Sequence, residues 1–467
     1  MKVFEKRHKD NGLRLRYKIA RIWSLPLSGK VILFFVHRLS WIHISKIRFS
    51  WAILIVSALS LVACNNEHTV YIAVVGDESG DNKNLGVQLK HAANFFESNV
   101  IGTSGSRRIQ TVFRDDKGNP ELSRQIALEL VANPNIVAVV GHSTSATTQA
   151  AQDVYTLYGM PLLVPIATYS SLTETSPRVI KNAVRLVPSN QQQAALIAEV
   201  IDRIITPKMQ ITDSLGQTTS AVLVYYEPSE YGNDLGTRIV KALWTKEIYE
   251  RRKKRLTTNP RNGALQTEPA REDIRDYPDV RIVIFAGYHN QARDLVKEIA
   301  GRNPEIIFVL TDGSKDSEFF ERLGTTNYKA YVTFVAPDWS NAEQLEKNGY
   351  TRNPAQLKEL LDYIRRRSSV NGDLEKTVGY TPIAVDAIHI VYEIAQSNPT
   401  DWDTSFELRN LVFEELFEED HTHLGFFSTY QFTSDGELQR GRAYLYRIQG
   451  TSSDTGEFTQ VTLSELN

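Results

Sequence analysis

The chain of 467 residues holds one cysteine, Cys64, and three methionines. A lone thiol excludes an internal disulfide and any cofactor site built from clustered thiolates. No phosphate-cradling Gly-x-x-x-x-Gly-Lys loop, His-Glu-x-x-His pair or Cys-x-x-Cys pair occurs. The usual sequence support for a nucleotide hydrolase, a zinc peptidase or a thiol oxidoreductase is therefore missing. Positive charge is in deficit from Cys64 onward, with 41 Lys/Arg against 53 Asp/Glu. Such a chain lacks the basic face that displaces counterions from phosphates, so nucleic acid is not an expected partner. Charge is absent altogether from residues 51 to 63.

What is present begins with that uncharged run. Residues 1–50 carry 12 Lys/Arg and only 2 Asp/Glu, and Lys46 and Arg48 stand just ahead of the apolar segment Trp51 to Ala63. The segment has the length of a signal-peptide core and is short for a bilayer-spanning helix. It ends Leu61-Val62-Ala63-Cys64, which resembles the lipobox of bacterial lipoproteins, and that resemblance implies lipidation at Cys64. Residues 1–63 are accordingly read as a basic extension plus lipoprotein signal peptide, and 64–68 as a polar tether. An uncleaved signal anchor is the alternative, and both readings place the globular part outside the cytoplasm, in the periplasm or at the cell surface. The leading fifty residues are long for a basic leader, which fits a translation start further downstream.

The remainder, in a chain with 42% hydrophobic and 23% charged residues, reads as a globular protein of more than one domain. From Thr69 short apolar runs alternate with helical patterns, the pattern of strand-helix-strand units on a mostly parallel sheet. Strands are expected at Val70 to Val75, Arg108 to Phe113, Ile136 to Val140 and Met160 to Pro165, with helices at Leu85 to Val100, Leu122 to Ala132 and from Ala146. A second set follows with strands at Ala221 to Tyr226, Val280 to Phe285 and Glu305 to Leu310 and helices from Asp234 and Ala292. Two such sets predict an α/β fold of two doubly wound parallel-sheet lobes. Between the sets, Thr245 to Asp279 shows no apolar period. It is expected to be a solvated helical extension plus loop, with Arg251 to Arg255 as a solvated face.

Several motifs then fall in one order. Val139-Val-Gly-His-Ser-Thr-Ser-Ala-Thr-Thr-Gln149 is followed by Pro165-Ile-Ala-Thr168, Glu230-Tyr-Gly232, Ala286-Gly-Tyr-His289 and Leu310-Thr-Asp-Gly313. Over roughly residues 69 to 450 this series resembles the leucine/isoleucine/valine-binding proteins of ABC importers. The resemblance implies two lobes joined by crossover strands with a ligand cleft between them, residues 69–187 and 336–425 forming one and 188–335 and 426–467 the other. It also implies that Ser145 and the segment Ile166, Ala167 and Thr168 bind the α-carboxylate of an amino-acid-like ligand. Asp312 would pair with its amino group, with Tyr288 beside it and Tyr231 lining the cleft. An ABC permease in the membrane would be the partner, with no cofactor, metal or catalytic residue.

Physical chemistry supports the same place, since open parallel sheets bind ligands beyond the carboxyl ends of their strands and a helix start welcomes an anion. Plainer roles exist for each residue: Ser145 as helix cap, Asp312-Gly313 as a turn pair, Tyr231 and Tyr288 as packing side chains. Gly141-His-Ser-Thr-Ser145 approaches a hydrolase nucleophile elbow but ends in Ser where that turn needs Gly. Two departures bear on the ligand. The first loop, Asp77 to Asn84, is short and brings no aromatic residue, and Gly118 and Thr144 replace the paired cysteines of the branched-chain binders. The competing reading is a ligand-free lipoprotein of the same fold that regulates a cell-wall synthase through protein contacts.

Overall fold

The structure, a computed structural model, describes residues 69–466 apart from 101–108, 175–181, 205–209, 213–217, 249, 258–264, 322, 324–327, 341, 350, 368–377, 399–401, 403, 419 and 451–455. Cys64, the apolar run before it and the basic extension lie outside the described residues.

The expected α/β architecture of two sheets is what forms. The first sheet contains β1 (Val70–Gly76), β2 (Ile109–Asp115), β3 (Ile136–Gly141), β4 (Leu162–Val164) and β5 (Ala183–Arg185). These five run parallel in the order β2-β1-β3-β4-β5. Strands buried on both faces need apolar residues at every position rather than alternately. β3, Ile-Val-Ala-Val-Val-Gly, meets that demand and is buried along its whole length. Around the sheet lie α1 (Lys83–Asn99), α2 (Pro120–Ala132) and α3 (Ser145–Leu157). Strand order reverses between β1 and β3, and the loops after those two strands therefore diverge and open a crevice at their carboxyl ends. Gly141 fits there because its φ is 143° and a Cβ would meet the Val75 carbonyl oxygen at 2.3 Å.

The second sheet repeats this design. The helices α4 (Asn190–Ile204) and α5 (Glu230–Trp244) pack together beside it. Its strands are β6 (Gln210–Thr212), β7 (Thr218–Tyr226), β8 (Glu250–Arg255), β9 (Ile282–Ala286), β10 (Ile307–Leu310) and β11 (Lys329–Phe334). The further helices are α6 (Glu268–Asp276) and α7 (His289–Ala300). β8, β7, β9, β10 and β11 are parallel neighbours in that order, the same order as in the first sheet. The stretch from Thr245 to Asp279 is thus not an extension with a loop but the second strand and second helix of this lobe. Its strand, Glu-Arg-Arg-Lys-Lys-Arg, has no apolar residue. Long charged side chains solve the problem by laying their stems on aromatic rings. Lys253 Nζ stands 5.5 Å from the Tyr226 ring centroid and the Arg252 guanidinium 5.8 Å from that of Tyr277, with Arg252 also bonded to the buried Asp273.

The return segment adds α8 (Ala342–Lys347), α9 (Pro354–Arg367), α10 (Thr381–Ser397) and α11 (Ser405–Leu416), then the short pair β12 (His423–Leu424) and β13 (Thr429–Tyr430). α10 has apolar residues around most of its circumference and is almost wholly buried, packed against α1. A helix of that composition must be covered on all sides. Last come β14 (Tyr444–Gly450) and β15 (Gly456–Val461), β14 antiparallel on the β11 edge and β15 antiparallel on β14. No helix among the described residues is long and apolar enough to cross a membrane.

Candidate functional site

Where β3 ends, His142 is fully buried with Nδ1 2.6 Å from Asp116 Oδ2 and Nε2 3.2 Å from the Tyr155 hydroxyl. Ser123 donates to the same carboxylate at 3.1 Å. This polar chain fixes the turn from below, and buried groups of this kind are tolerated only when bonded. Thr144 then caps α3, its hydroxyl accepting from Thr147 N at 3.3 Å while Thr147 Oγ1 accepts from Thr144 N at 3.2 Å. The helix's first N–H groups, at Ser145 and Ala146, have no intrahelical acceptor. Ser145 is buried and borders the cleft.

Two neighbouring strand ends complete this wall. After β1, Asp77 N donates to Ser143 Oγ at 2.9 Å, and the Asp77 carboxylate accepts from Gly80 N and Asn82 N at 2.5 and 2.9 Å, folding the first loop back on itself. After β4, Ile166, Ala167 and Thr168 are buried, and the Thr168 carbonyl accepts from Asn190 N at 2.8 Å. Hydroxyls and main-chain N–H groups dominate here, and the positive end of the α3 dipole adds to them, a setting that suits a carboxylate.

The facing wall comes from strand ends of the second sheet. Tyr231 lies in the first turn of α5, just after β7, Tyr288 caps α7 after β9, and Asp312 opens a short 3-10 turn after β10. The Tyr231 hydroxyl stands 2.6 Å from Asp312 Oδ1 and 2.8 Å from Thr311 Oγ1, and accepts from Gly313 N at 3.2 Å. The Tyr231 and Tyr288 ring centroids are 5.3 Å apart. Asp312 Oδ2 has the Tyr380 hydroxyl at 3.5 Å. Burial pushes the Asp312 carboxyl up from its usual range, with the Tyr231 hydrogen bond acting the other way. The Tyr231 and Tyr380 phenols are held well above theirs by burial and by the Asp312 charge. Among the described residues Asp312 forms no ion pair.

Both walls line one cleft. All seven residues singled out in the sequence for ligand contact, Ser145, Ile166, Ala167, Thr168, Tyr231, Tyr288 and Asp312, border it. So do Asn82, Leu85, Ser143, Thr144, His289, Gly313, Lys315, Asp316 and Tyr380, which sequence reasoning did not assign. Ser143 and Thr144 sat inside the motif that was read. Tyr380 carried no such signal, because it reaches the cleft only through the return of the chain. Lys315 borders the cleft with its ammonium 4.6 to 5.1 Å from the ring centroids of Phe334, Tyr446 and Phe458.

Residues 69–247 match the model of a periplasmic binding protein family. A leucine binding protein of Thermotoga maritima superposes with a TM-score of 0.62 at 13% identity, over 85% of this chain and 99% of that one. The fold is that of the type 1 periplasmic binding proteins. A second structure with this fold, the solute binding protein of an ABC transporter from R. palustris in complex with 4-hydroxybenzoate, superposes with a TM-score of 0.64 at 14% identity, over 84% and 96% of the two chains. In sequence, a Pseudomonas aeruginosa protein named amino acid binding protein is 27% identical over 266 residues. That alignment spans 56% of this chain and 64% of the relative, just under two thirds of its length. The resemblance read from the ordered motifs is borne out by these matches. In this periplasmic-binding-protein fold the cleft described above lies between the two sheets' carboxyl ends.

Proposed function

We propose that the chain is an extracytoplasmic solute-binding lipoprotein of an ABC importer and not an enzyme. It is anchored through Cys64 and binds an amino acid, branched-chain-like, or a similar small polar ligand by closure of two lobes. Residues 69–187 and 336–425 make one lobe, 188–335 and 426–467 the other, and the closed form delivers its ligand to a membrane permease. Ser145 and the segment Ile166 to Thr168 hold the α-carboxylate, and Asp312 takes the ammonium with Tyr231 and Tyr288 beside it.

One observation carries the reading: a buried acid without an ion pair among the described residues shares one cleft with a helix start and its hydroxyl residues. Burying an unpaired carboxylate is costly, and a cationic group on the ligand removes that cost. A zwitterion answers both walls at once, so its binding favours the closed form. A hydroxybenzoate, the ligand of the R. palustris relative, would supply the anion but no cation. A regulator without a small ligand would have no use for this polar pair.

A thermal-shift screen of the purified chain against the amino acids, small amides and 4-hydroxybenzoate tests the assignment, because a tight binder raises the melting temperature by mass action. A rise with amino acids alone supports it. No rise with any amino acid defeats it. Fractionation of cells carrying Cys64→Ser tests the anchor: the variant moves to the soluble fraction, and retention in the membrane removes the lipidation assignment.

A further inference from the structure

Tyr380 is the only lining residue, among the described residues, that comes from the chain beyond β11. Its main chain belongs to the first lobe: Tyr380 N donates to Gln88 Oε1 of α1 at 2.6 Å, and the residue stands at the start of α10, which packs on α1. Its ring lies on Phe334 of β11, centroids 4.9 Å apart. A Cβ on the preceding Gly379 would come within 3.0 Å of Phe334 Cζ, so the chain passes close enough to press the ring into place. The hydroxyl thus projects from a first-lobe backbone toward Asp312 of the second.

The two oxygens of Asp312 are not equivalent. Oδ1 is engaged at 2.6 Å by Tyr231, whereas the Tyr380 hydroxyl stands 3.5 Å from Oδ2, the outer limit of a hydrogen bond, and the Gln193 side chain and the main chain at Asp312 and Gly313 also act on the carboxylate. A contact that long leaves Oδ2 able to accept another donor. An ammonium group carries three N–H donors and needs as many acceptors. Beside Oδ2 it would find a second acceptor in the Tyr380 oxygen, whose own proton is already directed at the carboxylate.

We propose that Tyr380 is a ligand-contacting residue of the amine subsite, its oxygen accepting one ammonium N–H next to Asp312 Oδ2. The inference rests on the amino-acid reading and sharpens it. The ammonium is then gripped by both lobes at once, and the cleft discriminates for ligands that donate N–H at this point.

Isothermal titration of the full chain with L-leucine and with its deaminated counterpart, 2-hydroxy-4-methylpentanoate, provides the test. Wild type is compared with Tyr380→Phe, Asp312→Asn and, as a control, the exposed Tyr158→Phe. Tyr380→Phe keeps the ring on Phe334 and is expected to weaken leucine binding about tenfold, the worth of one hydrogen bond to a charged group. Binding of the hydroxy acid is expected to stay unchanged, as is everything in the control. Equal affinities of wild type and Tyr380→Phe for leucine overturn the inference, and so does an equal loss for both ligands, which would mark a packing role. Loss of leucine binding in Asp312→Asn with none in Tyr380→Phe leaves the amino-acid reading standing and removes only Tyr380. If leucine is not bound, the amino acid that is bound and its own hydroxy acid take its place. Binding of no amino acid overturns both.

Discussion

The side-chain amide of Asn84, in the first turn of α1, lies 3.1 and 3.0 Å from the two carboxylate oxygens of Asp316, on the far side of the cleft and 232 positions along the chain. Lys83 Nζ stands 3.9 Å from Glu318 Oε1 on the same rim. Arg238 Nη2 joins Glu174 Oε2 at 2.7 Å, again between residues far apart in the chain. The Asn84–Asp316 pair forms a clasp beside the cleft, which Asn82, Leu85 and Asp316 border. These groups are partly exposed, so each contact contributes little. Asn84→Ala is expected to raise the ligand dissociation rate by roughly three- to tenfold, from the loss of about 0.5 to 1.5 kcal/mol, with association almost unchanged. Stopped-flow fluorescence reads both rates, and an unaltered dissociation rate excludes a role for this clasp in retention.

Asp312 contributes on a different scale, because it is buried and, among the described residues, forms no ion pair. Asp312→Ala is expected to lower amino-acid affinity about a hundredfold, within the loss of roughly 2 to 5 kcal/mol seen when one member of a buried charge pair is removed. Calorimetry showing unchanged affinity removes Asp312 from the site.

Two buried acids set a pH dependence of stability. Burial pushes Glu227, at the end of β7, and Asp386, in α10, up to about 7. For Asp386 burial outweighs hydrogen bonds from Phe427 N, Ser428 N and the Tyr430 hydroxyl, which act the other way. A carboxyl raised in the folded state prefers its proton there. Its stabilising effect is complete below the unfolded value near 4 and is lost as pH rises through about 7. Melting temperature should therefore fall between pH 5 and pH 8, and Glu227→Gln should fall less steeply. Glu318 acts oppositely in another window: the hydrogen bond from His289 holds it down to about 2, so its contribution disappears only below about pH 4. A flat melting profile from pH 5 to 8 contradicts the assignment of Glu227 and Asp386.

Gly141 tests how the first lobe is built. A Cβ there would strike the Val75 carbonyl at 2.3 Å on a backbone with φ of 143°. Gly141→Ala is expected to cost at least 1 to 3 kcal/mol and to displace the Ser143 to Ser145 turn. Denaturant unfolding measures the loss, and wild-type stability with wild-type binding would show that the turn yields at no cost.

Much of the fold could be read locally because its signals are local. β1 and β3 declare themselves as unbroken apolar runs, and the loops after β3, β4, β9 and β10 carry the polar and aromatic residues that meet in the cleft. The strand Glu250–Arg255 was illegible for the opposite reason: it lies next to β7 as the parallel partner that completes the order of the sheet, and its charged side chains are accommodated by Tyr226, Tyr277 and Asp273 rather than by a core. Periodicity detects burial of a strand's own side chains and is blind to one whose place is fixed by main-chain pairing.

By itself, then, the sequence determined the chemistry available: the acid at 312, the hydroxyls at 145 and 168, the tyrosines at 231 and 288, each at a strand end where the backbone must turn. Only the tertiary structure decided which of these face one another, that Asp312 leaves one oxygen lightly engaged, and that Tyr380 arrives beside it. Those outcomes depend on contacts between residues tens to hundreds of positions apart. No local propensity encodes such distances. They follow from how two sheets, a returning helix and the rims between them pack at the same time.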